Sequence, residues 1–192
     1  MNFNQILQQV IDDTTQKSLG LLAPELALCA TIVILLLARI VSGKRPVSSG
    51  WLALLGAVVG LLLAGWQFVQ IQEPGAALSE TFFTGLLIYD KFTVFFRFFL
   101  LLFLVLVVVL TMLSGIPDNE DGPDFYTLLL GSTVGMMLMA SANHLLMLFF
   151  GIEMTSVPSY AMVGFLKGRR LSSEAALKYV VYGAGAAGVM LY

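Results

Sequence analysis

Residues 98–113 read FFLLLFLVLVVVLTML, and Thr111 is the one polar residue in this stretch. A helix needs about 20 predominantly apolar residues to cross the ~30 Å hydrocarbon core of a bilayer. With its N-terminal flank the stretch covers 91–113, which is long enough for one crossing. It therefore predicts a membrane-spanning helix, and stretches of similar apolar character recur on both sides of it.

The composition of the whole chain indicates a polytopic membrane protein. Of its 192 residues 58% are hydrophobic before the 18 Gly are counted, and 11% are charged. Soluble domains contain about 45–50% apolar residues with glycine included, and about 25% charged residues. The formal net charge of -2 offers no basic surface to nucleic acid, and the single cysteine excludes a disulfide scaffold and a cysteine-based metal cluster. The figures also exclude an ordinary soluble enzyme.

The predicted fold class is an all-α, polytopic membrane helix bundle with five complete spans and a truncated sixth. A tail at 1–18 precedes the first span. The sixth span begins near Ser173 and is still apolar at Tyr192, so we expect the N-terminal part of a longer protein. The short turn at 141–144 predicts that the fourth and fifth spans are antiparallel neighbours. The five complete spans are expected at about 19–41, 51–71, 91–113, 124–141 and 145–166.

Lysine and arginine are concentrated in loops on one side of the predicted bundle, which the positive-inside rule assigns to the cytoplasm. The loops at 72–90 and 141–144 contain neither residue, so we expect them, and the N-terminus, outside. The loop at 114–123 is acidic yet cytoplasmic in this arrangement, because acidic residues contribute little to the rule. The basic loop residues are Arg39, Lys44 and Arg45 after the first span, and Lys167, Arg169 and Arg170 after the fifth.

Glu153 is the best candidate for a functional charge inside a span. It lies about eight residues into the fifth span, roughly 12 Å along the helix, with no Lys or Arg within one turn on that helix. Desolvation favours the neutral form of a carboxyl, so Glu153 is a candidate for taking up and releasing protons. The alternative is a protonated Glu153 that bonds a neighbouring hydroxyl. Pro158, about one turn later, removes a backbone bond and suits a hydrated site.

Lys178 and Glu174 form the second candidate group, near the start of the sixth span. The carboxylate precedes the lysine by four residues, which is the order that favours an ion pair on a helix. Together with Glu153 they would make a buried polar path for protons. The alternative is a lysine that snorkels to the interface with a local partner.

Three further polar residues have simpler interpretations. Arg97 lies near the external end of the third span and shares a helix face with Asp90, which favours a snorkelling side chain. Glu25, beside Pro24, is expected at the membrane interface. His144 is the one histidine of the chain. It is a weak candidate for proton entry, since histidine titrates near neutral pH, and an interfacial turn residue is the alternative.

Glycine motifs in the spans predict packing rather than catalysis. Residues 183–188 read GAGAAG, a match to G-x-G-x-x-G, but no strand precedes them, so dinucleotide binding is rejected. Close helix packing explains this motif better, and it also explains the pairs Gly56/Gly60 and Gly131/Gly135.

From the fourth span onward the sequence resembles a known family. Residues 125–130 (FYTLLL), 135–165 (GMMLMASANHLLMLFFGIEMTSVPSYAMVGF) and 172–179 (SSEAALKY) resemble subunit N of the proton-pumping NADH:quinone oxidoreductase, respiratory complex I. The mitochondrial and plastid counterparts are called subunit 2. A weaker, collinear resemblance extends over 20–113 and includes PELAL at 24–28.

The resemblance implies an antiporter-like fold in the cell inner (plasma) membrane, in which 19–113 would form the first three helices and 124–192 the start of the proton-translocating repeat. It implies proton translocation coupled to electron transfer from NADH to quinone. The partners would be other membrane subunits of complex I, the lipid bilayer and protons, with no nucleic acid. NAD, quinone, FMN and iron–sulfur clusters would bind elsewhere in the complex, with no cofactor and no metal in this chain.

The resemblance carries roles only to matching positions. Glu153 falls on the family's proton-channel glutamate of the fifth helix, and Lys178 falls on a lysine of the sixth helix in the same polar axis. Glu174 matches the acidic residue beside that lysine, whereas His144 stands where Asn or Asp is common. Two alternatives stay open. One is a subunit of a cation/proton antiporter or membrane-bound hydrogenase, and the other is a non-functional truncated fragment.

Overall fold

The structure of the protein is a computed structural model. The predicted tail at 1–18, apart from Ser18, lies outside the described residues, as do the basic residues Lys44, Arg45 and Lys167. The structure describes residues 18–42, 48–73, 79–115, 121–166 and 169–192.

The described residues form seven helices and one β-hairpin. The predicted spans correspond in order to α1 with α2, then α3, α4, α5, α6 and α7, and their ends differ from the prediction by three residues at most. The elements are α1 Leu19–Leu21, α2 Ala23–Ser42, α3 Ser49–Gln70, β1 Ser79–Phe82, β2 Leu87–Asp90, α4 Lys91–Ser114, α5 Gly122–Ala140, α6 Leu145–Val163 and α7 Arg170–Leu191.

The chain is therefore an all-α membrane bundle, as predicted, with a small antiparallel hairpin added. Among the described residues, α2, α3, α4 and α6 are long and apolar enough to cross a membrane. Helices α5 and α7 have 19 and 22 residues, and their crossing stays a prediction.

The core lies between α2, α3, α4 and α5, because α3 presents a face of small residues to its neighbours. At Gly56 of that face an added Cβ would overlap the Thr31 side chain, so α2 and α3 pack closely as the Gly56/Gly60 motif predicts. The buried apolar residues are Leu28, Leu35, Ala53, Ala57, Ala64, Leu101, Leu104, Val108, Tyr126, Leu130, Val134 and Met137.

Helices α5 and α6 are antiparallel and closely packed, as the short turn between them predicts. Gly135 faces Thr155, and Gly151 faces Met139, so the register runs in opposite directions. A Cβ on Gly135 would lie 2.7 Å from Thr155 Oγ1, whereas nothing lies within 4 Å at Gly131. Only one glycine of this predicted pair therefore makes a close contact here.

The hairpin of β1 and β2 was not predicted in the loop at 72–90. Its turn includes Phe83 and Thr84 at positive φ, which is uncommon for residues other than glycine. Contacts with the turn between α5 and α6 hold it in place. The Ile88 N–H donates to the Ser141 carbonyl at 2.8 Å, and the Asn143 N–H donates to the Leu86 carbonyl at 2.9 Å.

These contacts place the hairpin at 79–90 and the turn at 141–144 at one end of the bundle, called here the hairpin end. At the opposite end the Arg39 guanidinium pairs with the Asp124 carboxylate, which joins α2 to α5. The predicted alternation of loops between two sides agrees with this arrangement.

Candidate functional site

Glu153 lies on the face of α6 that turns away from α5. Gly151 and Thr155, two residues to either side, both contact α5. At 100° per residue, Glu153 projects from nearly the opposite face. It is half-buried, and it shares its face with Tyr160, seven residues later, which contacts α7.

Helix α7 runs antiparallel to α6 and meets it near the α6 C-terminus. Gly164 faces Ala176, and the ring centroids of Tyr160 and Tyr179 are 4.7 Å apart. In this register Lys178 is level with residue 162. Its height along α6 differs from that of Glu153 by about nine residues, roughly 13 Å.

The predicted Lys178–Glu174 pair forms on α7. Lys178 Nζ and Glu174 Oε1 are 2.7 Å apart, and the two side chains are 65% and 54% exposed. Among the described residues no ion pair joins Lys178 to Glu153, and no hydrogen bond is recorded for the Glu153 carboxyl. The structure therefore brings together two of the predicted site residues and leaves the third about two and a half turns away.

Hydroxyl groups occupy the gap between these positions. Ser159 Oγ donates to the Ser156 carbonyl at 2.6 Å and lies 3.3 Å from the Tyr179 hydroxyl. Pro158 lies inside the helix between the two serines, where it removes one backbone hydrogen bond. Pro158 was a candidate from the sequence, whereas Ser159 and Tyr179 were not given a role, because their proximity depends on the α6–α7 register.

His144 is an exposed cap at the start of α6. Its Nδ1 accepts a hydrogen bond from the Leu146 N–H at 3.2 Å. It lies nine residues before Glu153 on the same helix, about 13 Å along the axis. The capping contact gives the residue a structural role in the turn.

The expectation that Arg97 snorkels beside Asp90 was wrong, because Arg97 is buried and pairs with Glu25. Arg97 Nε lies 2.7 Å from Glu25 Oε1, and the two side chains are 0% and 4% exposed. Asp90 instead caps α4 by accepting from the Thr93 N–H at 2.7 Å. The sequence did contain a signal for this pair, because Glu25 and Arg97 are opposite charges in two predicted spans and a charge inside a span needs a partner.

Gln67 of α3 completes this buried group, and the hairpin lies near it. Gln67 Nε2 lies 3.2 Å from the Leu21 carbonyl oxygen, which also accepts from Arg97 Nη1 at 3.0 Å. In β2, burial raises the pKa of the Tyr89 phenol, and the positive charge of Arg97 acts against this rise. The group thus lies between α2, α3 and α4 at the hairpin end.

Comparison with known proteins shows which family this chain is similar to. The sequence model described as "NADH:quinone oxidoreductase/Mrp antiporter, TM" matches residues 142–192, the segment that contains Glu153 and Lys178. NADH-quinone oxidoreductase subunit N of Chlorobium chlorochromatii is 35% identical over 96% of this chain and 35% of its own length. The chain is homologous to subunit N. The resemblance read from the sequence is confirmed.

Other subunit N relatives match a similar share of the chain. The subunit of Anaeromyxobacter is 34% identical over 95% of this chain, and subunit N of the F(420)H(2) dehydrogenase of Methanosarcina mazei is 36% identical over 89%. The chain spans about a third of the length of these subunit N relatives, 34% and 35% respectively.

Solved structures agree with the fold. Respiratory complex I from Thermus thermophilus with bound aureothin matches at a TM-score of 0.67 and 29% identity, over 88% of this chain and 35% of that chain. The archaeal membrane-bound sulfane sulfur reductase matches at a TM-score of 0.69 and 20% identity, over 89% and 34%. The second likeness concerns the fold alone.

Proposed function

We propose that the chain forms part of a membrane subunit of NADH:quinone oxidoreductase that takes part in proton translocation coupled to electron transfer from NADH to quinone. The observation that carries this proposal is Glu153, half-buried in an apolar helix within the segment that matches the family. A carboxyl there is costly unless it has a function, and proton relays are the usual function of ionisable residues in spans.

The proposed path leads from Glu153 along the α7-facing side of α6 to Lys178. The hydroxyls of Ser159 and Tyr179, 3.3 Å apart, lie between the two ends. Water and these hydroxyls would carry a proton over the height difference of about 13 Å. Lys178 would exchange its contact with Glu174 for a contact with the proton path.

The physical basis of the step is the competition between desolvation and pairing. An opposite charge stabilises the protonated form of a lysine, and apolar surroundings destabilise it. A lysine that loses its carboxylate partner in such surroundings therefore releases its proton more readily. Alternation between paired and unpaired states of Lys178 would move one proton per cycle.

The proposal places the redox chemistry outside this chain. The enzyme would be a translocase, with NAD, FMN, iron–sulfur clusters and quinone bound by other subunits and no redox centre here. The partners would be other membrane subunits of complex I and the surrounding lipid. The N-terminus would face the exterior of the cell inner (plasma) membrane, with the hairpin end on the same side. Residues 19–113 would precede an antiporter-like repeat that starts at 124–192.

The test is Glu153→Gln in the complete protein within its membrane complex. Inverted vesicles that oxidise NADH should acidify at least several-fold more slowly than wild type, while assembly on a native gel is kept. Glu153→Asp, which preserves the carboxyl, should retain part of the activity. Glu73→Gln, an exposed carboxyl outside the helices, is the matched control and should leave pumping unchanged. Normal pumping by an assembled Glu153→Gln complex would refute the role.

The proposed path has its own test. Ser159→Ala and Tyr179→Phe each remove one hydroxyl and leave the shape nearly unchanged. Each should slow proton uptake and leave assembly intact. Tyr182→Phe, an exposed tyrosine of the same helix, should have no effect. If neither hydroxyl matters while Glu153→Gln abolishes pumping, protons bypass the α6–α7 contact.

A second candidate function is favoured by one observation. The matching family model covers Mrp antiporters as well as NADH:quinone oxidoreductase. A subunit of a cation/proton antiporter would use the same Glu153 without any electron donor. Cation-driven proton exchange in vesicles that lack NADH, lost in Glu153→Gln, would favour the antiporter; acidification that requires NADH would favour the oxidoreductase.

A further inference from the structure

The first span is interrupted at Leu22, between α1 and α2. Two side chains from other helices, Gln67 and Arg97, contact backbone carbonyls at this interruption. Pro24 has no N–H, so residue 24 cannot donate to the Gly20 carbonyl, which accepts a backbone N–H at the end of α1 instead. Gln67 Nε2 approaches the Gly20 and Leu21 carbonyl oxygens at 3.4 and 3.2 Å, and Arg97 Nη1 donates to Leu21 at 3.0 Å. Side chains from α3 and α4 thereby meet the same turn of backbone at the start of the first span.

Gln67, Arg97 and Glu25 also have buried polar atoms that form no hydrogen bond within the described residues. Within the described part of the chain, both Glu25 carboxylate oxygens, Gln67 Oε1, and Arg97 Nε and Nη2 are buried without a hydrogen-bond partner. Arg97 Nε and Glu25 Oε1 are 2.7 Å apart, but their orientation is that of an ion pair and not of an aligned hydrogen bond. Buried polar groups are almost always hydrogen-bonded, so the three atoms outside the ion pair, Glu25 Oε2, Gln67 Oε1 and Arg97 Nη2, need a partner.

A layer of apolar residues around Gly60 separates the Glu25, Gln67 and Arg97 side chains from the middle of the bundle. An added Cβ at Gly60 would lie 3.3 Å from Leu101, 3.6 Å from Leu28 and 3.7 Å from the Pro24 carbonyl. Leu28 and Leu101 are both fully buried. The polar group is therefore closed off from the middle of the core between α2, α3 and α4.

We propose that Glu25, Gln67 and Arg97 form a binding site for internal water. The unsatisfied atoms include both acceptors and donors, and water both donates and accepts. The ion pair has no net charge, so Arg97 opposes a bound cation and Glu25 opposes a bound anion. One water that donates to Gln67 Oε1 and to the carboxylate and accepts from Arg97 Nη2 would have three hydrogen bonds, the usual number for a buried water.

The water would hold the broken turn of the first span to α3 and α4. This inference does not depend on proton pumping, because its readout is bound water and not transport. It also predicts that Gln67, an uncharged residue, is as necessary to the site as the two charges.

The test is a cryo-EM map of the complete membrane complex at a resolution that shows ordered water. We expect at least one water density at about 2.7–3.2 Å from both Gln67 Oε1 and Arg97 Nη2. Gln67→Leu, which keeps the approximate shape, should lose that density. Gln70→Leu, an exposed residue of the same helix, should keep it.

A second measurement needs only the wild-type protein. Hydroxyl radicals generated by X-rays from bound water should oxidise Leu28 or Leu101, whose burial otherwise protects them. Val108, equally buried but near the opposite end of α4, should stay unlabelled. A map in which the five atoms bond directly to one another, with no density between them and no labelling of Leu28 or Leu101, would overturn the proposal. A density larger than water would overturn it as well.

Discussion

Arg97 Nε and Glu25 Oε1 lie 2.7 Å apart between α4 and α2, and both side chains are withdrawn from the surface of the bundle. A buried ion pair contributes little net stability, because two desolvation costs offset the attraction. Removal of only one partner nevertheless destabilises the protein strongly, because the other charge stays buried without a counterion. The pair therefore acts mainly as a constraint on which helices pack together, and it ties the first span to the third.

Removal of Arg97 alone should be far more harmful than removal of the pair. Arg97→Met leaves the Glu25 carboxyl without a counterion, at a cost of about 3–5 kcal/mol. The double variant Glu25→Met/Arg97→Met removes both charges and should recover a large part of this loss. Thermal unfolding of the purified complete protein measures the difference. Arg170→Met, at an exposed position, is the control for charge removal. A double variant that loses the sum of the single effects would contradict the coupling.

Gly135 should tolerate a methyl group much less than Gly131 does. A Cβ at Gly135 would lie 2.8 Å from the Thr155 backbone nitrogen, which cannot move without displacing α6. We expect Gly135→Ala to destabilise the protein by about 1–3 kcal/mol through overpacking. Gly131→Ala, on the same helix with nothing within 4 Å, should be neutral or stabilising by up to about 1 kcal/mol. Equal effects of the two substitutions on the unfolding midpoint would refute the close contact.

Asn143 should control the order of the hairpin. Its Nδ2 donates to the Gly85 carbonyl at 2.9 Å, in the turn where Phe83 and Thr84 adopt positive φ. Asn143→Ala removes this bond, and we expect a loss of about 1 kcal/mol and faster amide exchange at 79–90. Hydrogen–deuterium exchange with mass spectrometry measures this change. Asn143→Ala should leave exchange in α4 unaltered, and unchanged exchange in the hairpin would show that the strands alone maintain the turn.

Glu174→Gln should separate stability from transport at the second candidate group. The pair with Lys178 is more than half exposed, and such pairs contribute about 0–1 kcal/mol. The unfolding midpoint should therefore stay nearly constant, whereas proton uptake should fall if Lys178 exchanges partners during the cycle. If both proton uptake and the unfolding midpoint stay unchanged, the Glu174–Lys178 pair is a surface contact without a role in transport.

The positions of the helices were predicted well, since apolar run length is a local property of the chain. The Glu174–Lys178 pair was predicted for the same reason, because both residues lie one turn apart on one helix. The buried pair of Glu25 and Arg97 was missed, although each residue was noted alone. Their proximity depends on how α2, α3 and α4 are rotated about their axes, which no single span specifies.

The hairpin illustrates the same limit. Its strands are four residues long, and its turn adopts backbone angles that residues other than glycine seldom use. Hydrogen bonds to Ser141 and Asn143, more than 50 residues later in the chain, compensate for this local cost. The residue pattern at 72–90 alone therefore cannot predict the hairpin, because its partners Ser141 and Asn143 lie elsewhere in the sequence.

The sequence by itself determined that the chain is a bundle of apolar helices, where each helix begins and ends, and which family it resembles. These properties follow from local hydrophobicity and from residue order. Only the tertiary structure decided that Glu25 faces Arg97, that Gln67 joins them, and that Glu153 turns from α5 toward the α7 side. Each of these depends on the rotation of one helix against another, which is set by close contacts such as Gly56 with Thr31 and Gly135 with Thr155.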